Sequence, residues 1–273
     1  MSISRVAVVG AGTMGGGIAV QLLMAGMHVD LCDPSGEALE KARLRITRRA
    51  DAAAQTRLQL HLVLAEAVAE ADFVIEAAPE RLELKRGIFA ELDRCAPERA
   101  LLASNTSELS ITVLAGATLR PGKVVGMHWF NPPERMQLVE MVRGVHTTGE
   151  TLAATRALAE ACGKTVVEVA DRQGFVTTRL LAALLLEAIR LHEEGVAGAA
   201  DLDLAVRLGL NHPMGPLELA DYVGLDTLLF IAEGMHGAMG DRFLPPQSLR
   251  RLVDAGLLGR KTGRGFFEYP ERG

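Results

Sequence analysis

The stretch RVAVVGAGTMGGGIAV, residues 5 to 20, decides the fold of this chain. A short apolar run rich in valine enters a glycine-rich turn, and an apolar helical pattern follows at once. The turn carries Gly10, Gly12 and Gly15. In such a unit the first glycine permits a tight turn, the second lets a pyrophosphate approach the backbone, and the third lets the helix pack closely on the strand. The stretch therefore predicts an α/β fold that begins with a dinucleotide-binding unit.

The residues around this turn predict how a dinucleotide is held. The free N–H groups of the first helical turn, which includes Thr13 and Met14, would meet the phosphates. A second strand-like run ends beside Asp33, whose carboxylate would accept hydrogen bonds from the adenosine ribose and repel a 2'-phosphate. The nearest downstream basic residue, Lys41, is a helix away, so NAD is favoured over NADP. The alternative is a glycine-rich turn whose aspartate only caps the next helix.

The composition narrows the classes of function. The chain has 273 residues, of which 49% are hydrophobic, enough for the cores of one or two domains. A net charge of -5 and 4% aromatic residues argue against a nucleic-acid partner, which requires a basic surface and stacking side chains. The three cysteines are far apart and lack ligand spacing, which predicts a cytoplasmic protein without disulfides or a metal site. The most apolar run, residues 180 to 189, is too short to span a membrane.

Strand-like and helical patterns alternate through the first two thirds of the chain, which predicts a parallel sheet covered by helices. The predicted strands are residues 5–9, 28–32, 72–77, 100–104, 123–128 and 165–170, and the predicted helices of this part are 13–26, 35–50, 81–95 and 149–162. The strand signal stops at Thr177. We therefore expect a Rossmann-type NAD-binding domain over residues 1–173 and a smaller all-α domain over residues 174–273. The long apolar helix that opens the second domain predicts a homodimer through it.

A second stretch, VVGMHWFNPPERMQLVEMV, carries two apolar runs with one ionisable residue each, His128 and Glu140. If the Asn131-Pro-Pro turn folds the runs antiparallel, these two residues face each other. Hydride transfer requires a group that moves a proton, and a neutral imidazole whose tautomer is fixed by a carboxylate is suited to it. Ser107, which follows the strand-like run ALLAS, could hold the substrate oxygen. The alternative is a buried structural histidine and an unrelated glutamate.

Seven motifs together resemble the 3-hydroxyacyl-CoA dehydrogenase family, especially its stand-alone short-chain bacterial members. They are GAGTMGGGIA, FVIEAAPE, SNTSELSI, HWFNPPERMQLVEMV, GFVTTRLL, NHPMGPLELADYVGLDT and GRKTGRGFFEY. The resemblance spans nearly the whole chain. It implies a Rossmann domain followed by a helical dimerisation domain, NAD as the cofactor, and reversible oxidation of an L-3-hydroxyacyl-CoA, such as 3-hydroxybutyryl-CoA, to the 3-ketoacyl-CoA.

The resemblance also implies roles for individual residues. His128 is the base, Glu140 pairs with it, and Ser107 touches both substrate and cofactor. Five further residues match cofactor-binding motifs, the first three of them near the nicotinamide ribose and carboxamide: Glu80, Lys85, Asn131, Asn105 and Lys261.

Two features depart from the family pattern. The family usually has Pro-Gly-Phe followed by an asparagine that contacts the reacting part of the substrate, whereas this chain has Gln173-Gly-Phe and Thr178. Thr178 either keeps a substrate contact through its hydroxyl or caps the helix. The second departure is a shorter segment between Asp33 and Phe73, where the family usually carries a helical hairpin that helps to grip CoA.

Four basic residues of that shorter segment share one predicted helix face and could meet the CoA phosphates: Lys41, Arg45, Arg48 and Arg49. The alternative is a solvated charged face, with weak CoA affinity or a smaller substrate.

Two other functions remain open. A dehydrogenase of a free hydroxy acid or sugar acid, similar to L-gulonate dehydrogenase, uses much the same motifs. A non-catalytic NAD-binding protein, like the crystallin relatives of the family, would be expected to lose His128, Glu140 or Ser107, and all three are present.

Overall fold

The computed structural model describes residues 3–270. The chain divides into two compact units, Met1–Phe175 and Val176–Gly273. The first unit contains an eight-stranded sheet, and the described part of the second is helical apart from isolated bridges near its end.

The sheet has strands β1 to β8, in chain order Arg5–Val9, His28–Cys32, Leu58–His61, Phe73–Glu76, Leu101–Ser104, Val124–Trp129, Leu138–Arg143 and Thr165–Ala170. Their spatial order is β3-β2-β1-β4-β5-β6-β7-β8, and all neighbours are parallel except β6 and β7. The predicted strands at 5–9, 28–32 and 165–170 are confirmed residue for residue. The edge strand β3 was not predicted, because its apolar and polar residues alternate over only four positions, too few to separate a strand from a helical context.

The described part of the first unit has seven α-helices, α1 to α7: Thr13–Met24, Gly36–Thr47, Ala52–Gln55, Leu64–Val68, Leu82–Cys95, Ile111–Ala115 and Gly149–Ala161. The four predicted helices correspond to α1, α2, α5 and α7. The side chains of Ser35 and Thr148 accept backbone N–H groups at the starts of α2 and α7, which explains where these helices begin.

The core of the first unit lies on both faces of the sheet. Val6 and Val8 of β1 belong to one buried cluster, and Ala7 and Val9 belong to the other. Successive side chains of a strand point to opposite faces, so a strand covered on both sides is apolar throughout. This explains why the central strands appear in the sequence as continuous apolar runs.

Within its described residues, the second unit has five α-helices, α8 to α12: Thr177–Glu193, Ala199–Gly209, Pro216–Val223, Leu225–Met239 and Gln247–Asp254. The sequence of the long helix α8 is apolar on most faces, which predicts extensive burial. Within this single chain it buries Leu185, Leu186 and Ile189 but leaves Leu180 65% exposed. A partner surface would be needed to cover the rest.

Two buried aspartates hold the helical unit together. The carboxylate of Asp203, on α9, accepts N–H groups from Leu217 and Glu218 at 2.8 Å, in the first turn of α10. Asp221 accepts the N–H groups of Phe266 and Phe267. Burial raises the pKa of both carboxyls. Each carboxylate therefore loses hydration but accepts hydrogen bonds from backbone N–H groups that would otherwise lack partners.

We expect Asp203→Ala to lower the free energy of unfolding by about 1–3 kcal/mol, because it leaves the two buried N–H groups of α10 without an acceptor. Urea denaturation would measure the change. Asp254→Ala, at the exposed end of α12, is the control and should stay within about 0.5 kcal/mol of wild type. Equal effects of the two substitutions would contradict this role for Asp203.

Candidate active site

The glycine turn after β1 has the close approaches that its sequence predicts. Gly10 has a φ of 105°, in the region that favours glycine. A Cβ atom on Gly15 would lie 1.7 Å from the carbonyl oxygen of Gly10, so only glycine fits where α1 packs on the turn. A Cβ on Gly12 would meet no atom within 4 Å. The backbone at Gly12, the N-cap of α1, is thus open to a ligand, and no side chain caps this helix.

Asp33 is held beside this turn at the carboxyl end of β2. Its Oδ2 atom accepts the N–H of Ala11 at 2.8 Å, and its Oδ1 atom accepts the N–H of Ser35 at 2.9 Å. Each carboxylate oxygen can accept a second hydrogen bond. The position fits an acceptor for the hydroxyls of an adenosine ribose, and the residues around the turn fit a dinucleotide.

A buried lysine organises the carboxyl end of β4. Lys85 is 1% exposed, and its Nζ lies 2.7 Å from Oε1 of Glu76, 3.0 Å from the carbonyl oxygen of Ala78 and 3.4 Å from Oε2 of Glu80. The other oxygen of Glu76 accepts the hydroxyl of Ser104 at 2.6 Å. Lys85 thus orients two carboxylates, and its expected contact with the cofactor stays a prediction. Sequence reasoning missed Glu76, although it stands within the quoted motif FVIEAAPE.

Glu80 joins this lysine to the loop after β5. Its Oε1 atom accepts the N–H of Ser107 at 3.0 Å and the hydroxyl of Thr106. In the same loop, Oδ1 of Asn105 accepts the backbone N–H of Trp129 at 2.9 Å. The structure therefore gathers the predicted residues Glu80, Asn105 and Ser107 at the carboxyl ends of neighbouring strands, where open α/β sheets bind ligands.

The antiparallel pairing of β6 and β7 places His128 opposite Glu140. Nδ1 of His128 lies 2.8 Å from Oε2 of Glu140, and the two residues are 5% and 1% exposed. The rings of Phe130 and Phe175 lie 4.5 Å and 5.9 Å from the imidazole, centre to centre. When Nδ1 donates its proton to the carboxylate, Nε2 is left as the basic nitrogen. The predicted pairing of these two residues is confirmed.

Contacts on two sides hold the turn between β6 and β7 in place. Nζ of Lys164 donates to the carbonyl oxygens of Pro133, at 2.7 Å, and Met136, at 3.0 Å, and lies 5.6 Å from the centre of the Trp129 ring. On the other side, a Cβ on Gly17 of α1 would come within 2.8 Å of Cδ of Pro133. Sequence reasoning missed both contacts, because a lysine that bonds carbonyl groups and a helical glycine that touches a distant turn leave no linear pattern. The turn includes the predicted residue Asn131.

Three of the four basic residues assigned to CoA have protein partners instead. Nη1 of Arg45 donates to the carbonyl oxygen of Thr13 at 3.0 Å, Arg49 pairs with Glu134, and Lys41 pairs with Glu37 at 2.6 Å. Within residues 3–270, the side chain of Arg48 has no hydrogen bond or ion pair. The CoA contact stays a prediction, and Arg48 is the member of the set best placed for it.

Two predicted site residues belong to the helical unit. The Lys261 ammonium contacts both carboxylate oxygens of Asp226. Thr178 is buried and is the second residue of α8, whose N-cap is Val176. Thr178 therefore does not occupy the N-cap, so the alternative that it caps the helix is wrong. Contacts of Thr178 with a substrate and of Lys261 with a cofactor stay predictions.

Among residues 3–270, no group of three or more His, Cys, Asp or Glu side chains could hold a metal ion. None of the helices described is both long enough and apolar enough to cross a bilayer.

Comparisons with known proteins agree with this geometry. Residues 5–172 match the family model of the 3-hydroxyacyl-CoA dehydrogenase NAD binding domain, and residues 174–269 match that of the C-terminal domain. The chain is 44% identical to a probable 3-hydroxybutyryl-CoA dehydrogenase of Bacillus subtilis, over 100% of this chain and 99% of the relative.

Two solved structures are similar over almost their full length. FadB2 of Mycobacterium tuberculosis is 42% identical with a TM-score of 0.95, over 99% of this chain and 100% of that one. The (S)-3-hydroxybutyryl-CoA dehydrogenase PaaH1 of Ralstonia eutropha is 39% identical with a TM-score of 0.94, over the same shares of the two chains. With two family models that together span most of its length, this chain belongs to the 3-hydroxyacyl-CoA dehydrogenase family.

Proposed function

We propose that this chain is an NAD-dependent dehydrogenase that interconverts a short-chain L-3-hydroxyacyl-CoA, such as 3-hydroxybutyryl-CoA, and the 3-ketoacyl-CoA. The observation that carries the proposal is the buried contact between His128 and Glu140, on the adjacent strands β6 and β7 of a dinucleotide-binding sheet. The names of the similar proteins support the substrate class. Acetoacetyl-CoA and free acetoacetate, compared as substrates, would separate this function from that of a free hydroxy-acid dehydrogenase.

The arrangement of the site suggests how the proton moves. Nε2 of His128 takes the proton of the substrate 3-hydroxyl, and the Glu140 carboxylate stabilises the imidazolium that forms. NAD, which the glycine turn and Asp33 would hold, would supply the acceptor for the hydride from C3 of the substrate. The hydroxyl of Ser107 donates to the developing carbonyl oxygen, and Glu80 fixes the backbone of that residue. Proton and hydride leave the same alcohol, so the reaction requires no other redox partner.

We further propose that NAD is preferred over NADP, because Asp33 places a negative charge where a 2'-phosphate would lie. The neighbouring cations do not offset this charge, since Lys41 and Arg45 have partners of their own. The cytoplasmic location stays a prediction that rests on cysteine usage.

The exposed apolar surface of the helical unit supports the proposal of a homodimer. Large apolar side chains are exposed on several of its helices: Leu180, Leu204, Leu208 and Phe230. Apolar surface of this kind marks an interaction site in a folded domain, and a symmetric copy of the chain is the simplest partner.

We expect His128→Gln to lower the turnover number with acetoacetyl-CoA by roughly 100- to 10,000-fold, because the general base is lost. The affinity for NADH should stay within about twofold, since the glycine turn is unchanged. NADH absorbance and fluorescence titration would measure the two quantities. His146→Gln, in an exposed loop, is the matched control and should keep full activity. Normal turnover in His128→Gln would end the assignment of the base.

Asp33→Asn should weaken NADH binding by about 10-fold or more, because hydrogen bonds to a charged acceptor contribute roughly 1.5–3 kcal/mol. NADPH should lose less affinity than NADH, since the repulsive charge also disappears. Fluorescence titration with both cofactors gives the ratio of dissociation constants, and Glu150→Gln, which is exposed, serves as the control. An unchanged ratio would show that Asp33 does not set cofactor preference.

Leu208→Glu should shift the protein from dimer to monomer in light scattering, because Leu208 is 75% exposed on α9 and a charge there opposes burial. Leu119→Glu is the control, since Leu119 is 96% exposed in the first unit. A wild-type protein that is monomeric at micromolar concentration would refute the dimer.

A further inference from the structure

Glu108 is a buried acid for which the proposed mechanism gives no role. It directly follows Ser107 and is 3% exposed. Its Oε2 atom is buried and, within residues 3–270, has no hydrogen-bond partner. A buried carboxylate oxygen without a partner costs free energy in the ionised form, whereas a protonated carboxyl avoids most of that cost.

The surroundings of Glu108 are negative. Burial and, second, the charge of Glu80 raise the pKa of Glu108 to about 7, against a smaller lowering by a hydrogen bond from the side chain of Gln173. Gln173 occupies a position where the 3-hydroxyacyl-CoA dehydrogenase family usually has a proline. A proline side chain has no donor, so this hydrogen bond depends on the glutamine of the present chain.

Several other charged groups in this part of the sheet have partners among the described residues. Lys85 contacts both Glu76 and Glu80, His128 is bonded to Glu140, and Asp171 accepts the N–H groups at the start of α6. In the cluster of Glu76, Glu80 and Glu108, Lys85 is the one cation among the described residues. Two negative charges would remain if all three acids were ionised, and Glu108 is the acid that lacks contact with the lysine.

We propose that Glu108 is a proton-linked residue of the cofactor site, which holds a proton when the site contains NADH and releases it when the site contains NAD. The inference rests on the proposed function and on the family resemblance, which implies that Glu80 lies near the nicotinamide ribose. The nicotinamide ring is cationic in NAD and neutral in NADH. A positive charge in the cluster favours the ionised form of Glu108 by Coulomb attraction. This attraction acts over a distance, so Glu108 can respond to the cofactor without leaving its buried position.

The proton balance of the reaction is complete with this residue included. Glu108 gives its proton to solvent when NAD binds. During oxidation, the hydroxyl proton of the substrate goes to His128, which then releases it to solvent, and the hydride goes to the cofactor. The ring is then neutral, so Glu108 regains a proton from solvent. The residue touches no reacting atom, and its effect is to make the relative affinity for the two cofactor forms depend on pH.

The sign of this dependence follows from linkage. At low pH, NAD must displace a proton from Glu108, so its affinity is weaker, and the affinity rises with pH until Glu108 is already ionised in the free protein. If NAD lowers the pKa of Glu108 by one unit, the dissociation constant of NAD falls about fivefold between pH 6 and pH 8. The dissociation constant of NADH stays nearly constant.

The test is isothermal titration calorimetry in two buffers of different ionisation enthalpy, which counts the protons released on binding. His128→Gln serves as the background, because a titrating imidazole near a cation would release protons with the same sign. In this background at pH 7, NAD should release roughly 0.4 proton and NADH almost none. Adding Glu108→Gln should abolish the proton release that accompanies NAD binding. Adding Glu150→Gln, an exposed acid on α7, should leave it unchanged.

Gln173→Ala provides a variant that keeps the acid itself. Loss of the hydrogen bond from Gln173 should raise the pKa of Glu108 further, so the pH of half-maximal proton release moves upward. Equal release with and without Glu108, or equal release by NAD and NADH, would overturn the proposal. These readouts require only cofactor binding, so they stand even if acetoacetyl-CoA is not turned over and the substrate assignment fails.

Stability gives a second, independent readout. The folded pKa of Glu108 is raised above the unfolded value, so its contribution to stability is fully present below the unfolded pKa and is lost as pH rises through about 7. Glu108→Gln should therefore lose less stability than its parent between pH 5 and pH 8 in urea denaturation. A difference between the two proteins that is the same at every pH would indicate a purely structural role.

Discussion

The candidate catalytic site depends on one antiparallel strand pair in a sheet that is otherwise parallel. Two parallel neighbours need a long crossover, so residues close in sequence cannot face each other in them. The return of β7 beside β6 brings His128 and Glu140 into direct register. Both strands are central and buried, so the carboxylate must find a partner inside the protein, and the imidazole is the partner that the register provides. Lys164 secures the turn that makes the return possible.

The part of the sheet that holds the candidate catalytic site also concentrates negative charge. Glu76, Glu80 and Glu140 each have a cationic or titratable partner, whereas Glu108 does not contact the one lysine of its cluster. Removal of charges from water is costly, and pairing offsets the cost only where the geometry is good. A site built this way is suited to a ligand whose charge changes during the reaction, because the unpaired acid can respond to the change.

Much of the fold could be predicted because its determinants are local. The apolar strands, the glycine turn and the twelve-residue spacing of His128 and Glu140 each follow from short-range geometry. The sequence pattern did not reveal which partners the long side chains contact within the fold. The CoA contact of Arg45 stays a prediction, and the structure shows that its guanidinium reaches back to the first turn of α1. That choice depends on how α2 packs against α1, which the sequence pattern does not encode.

The three consecutive glycines that begin at Gly15 show how the cofactor turn and the catalytic turn are joined. Gly15 packs on the backbone of Gly10, a Cβ on Gly16 would lie 3.1 Å from Nη1 of Arg45, and a Cβ on Gly17 would contact Pro133. Each glycine inside a helix costs about 1 kcal/mol relative to alanine. The three consecutive glycines offset this cost because each allows close approach of a different neighbour. These neighbours are the glycine turn after β1, helix α2 and the turn after His128. The helix that begins the dinucleotide site is therefore also a support on which the catalytic turn is seated.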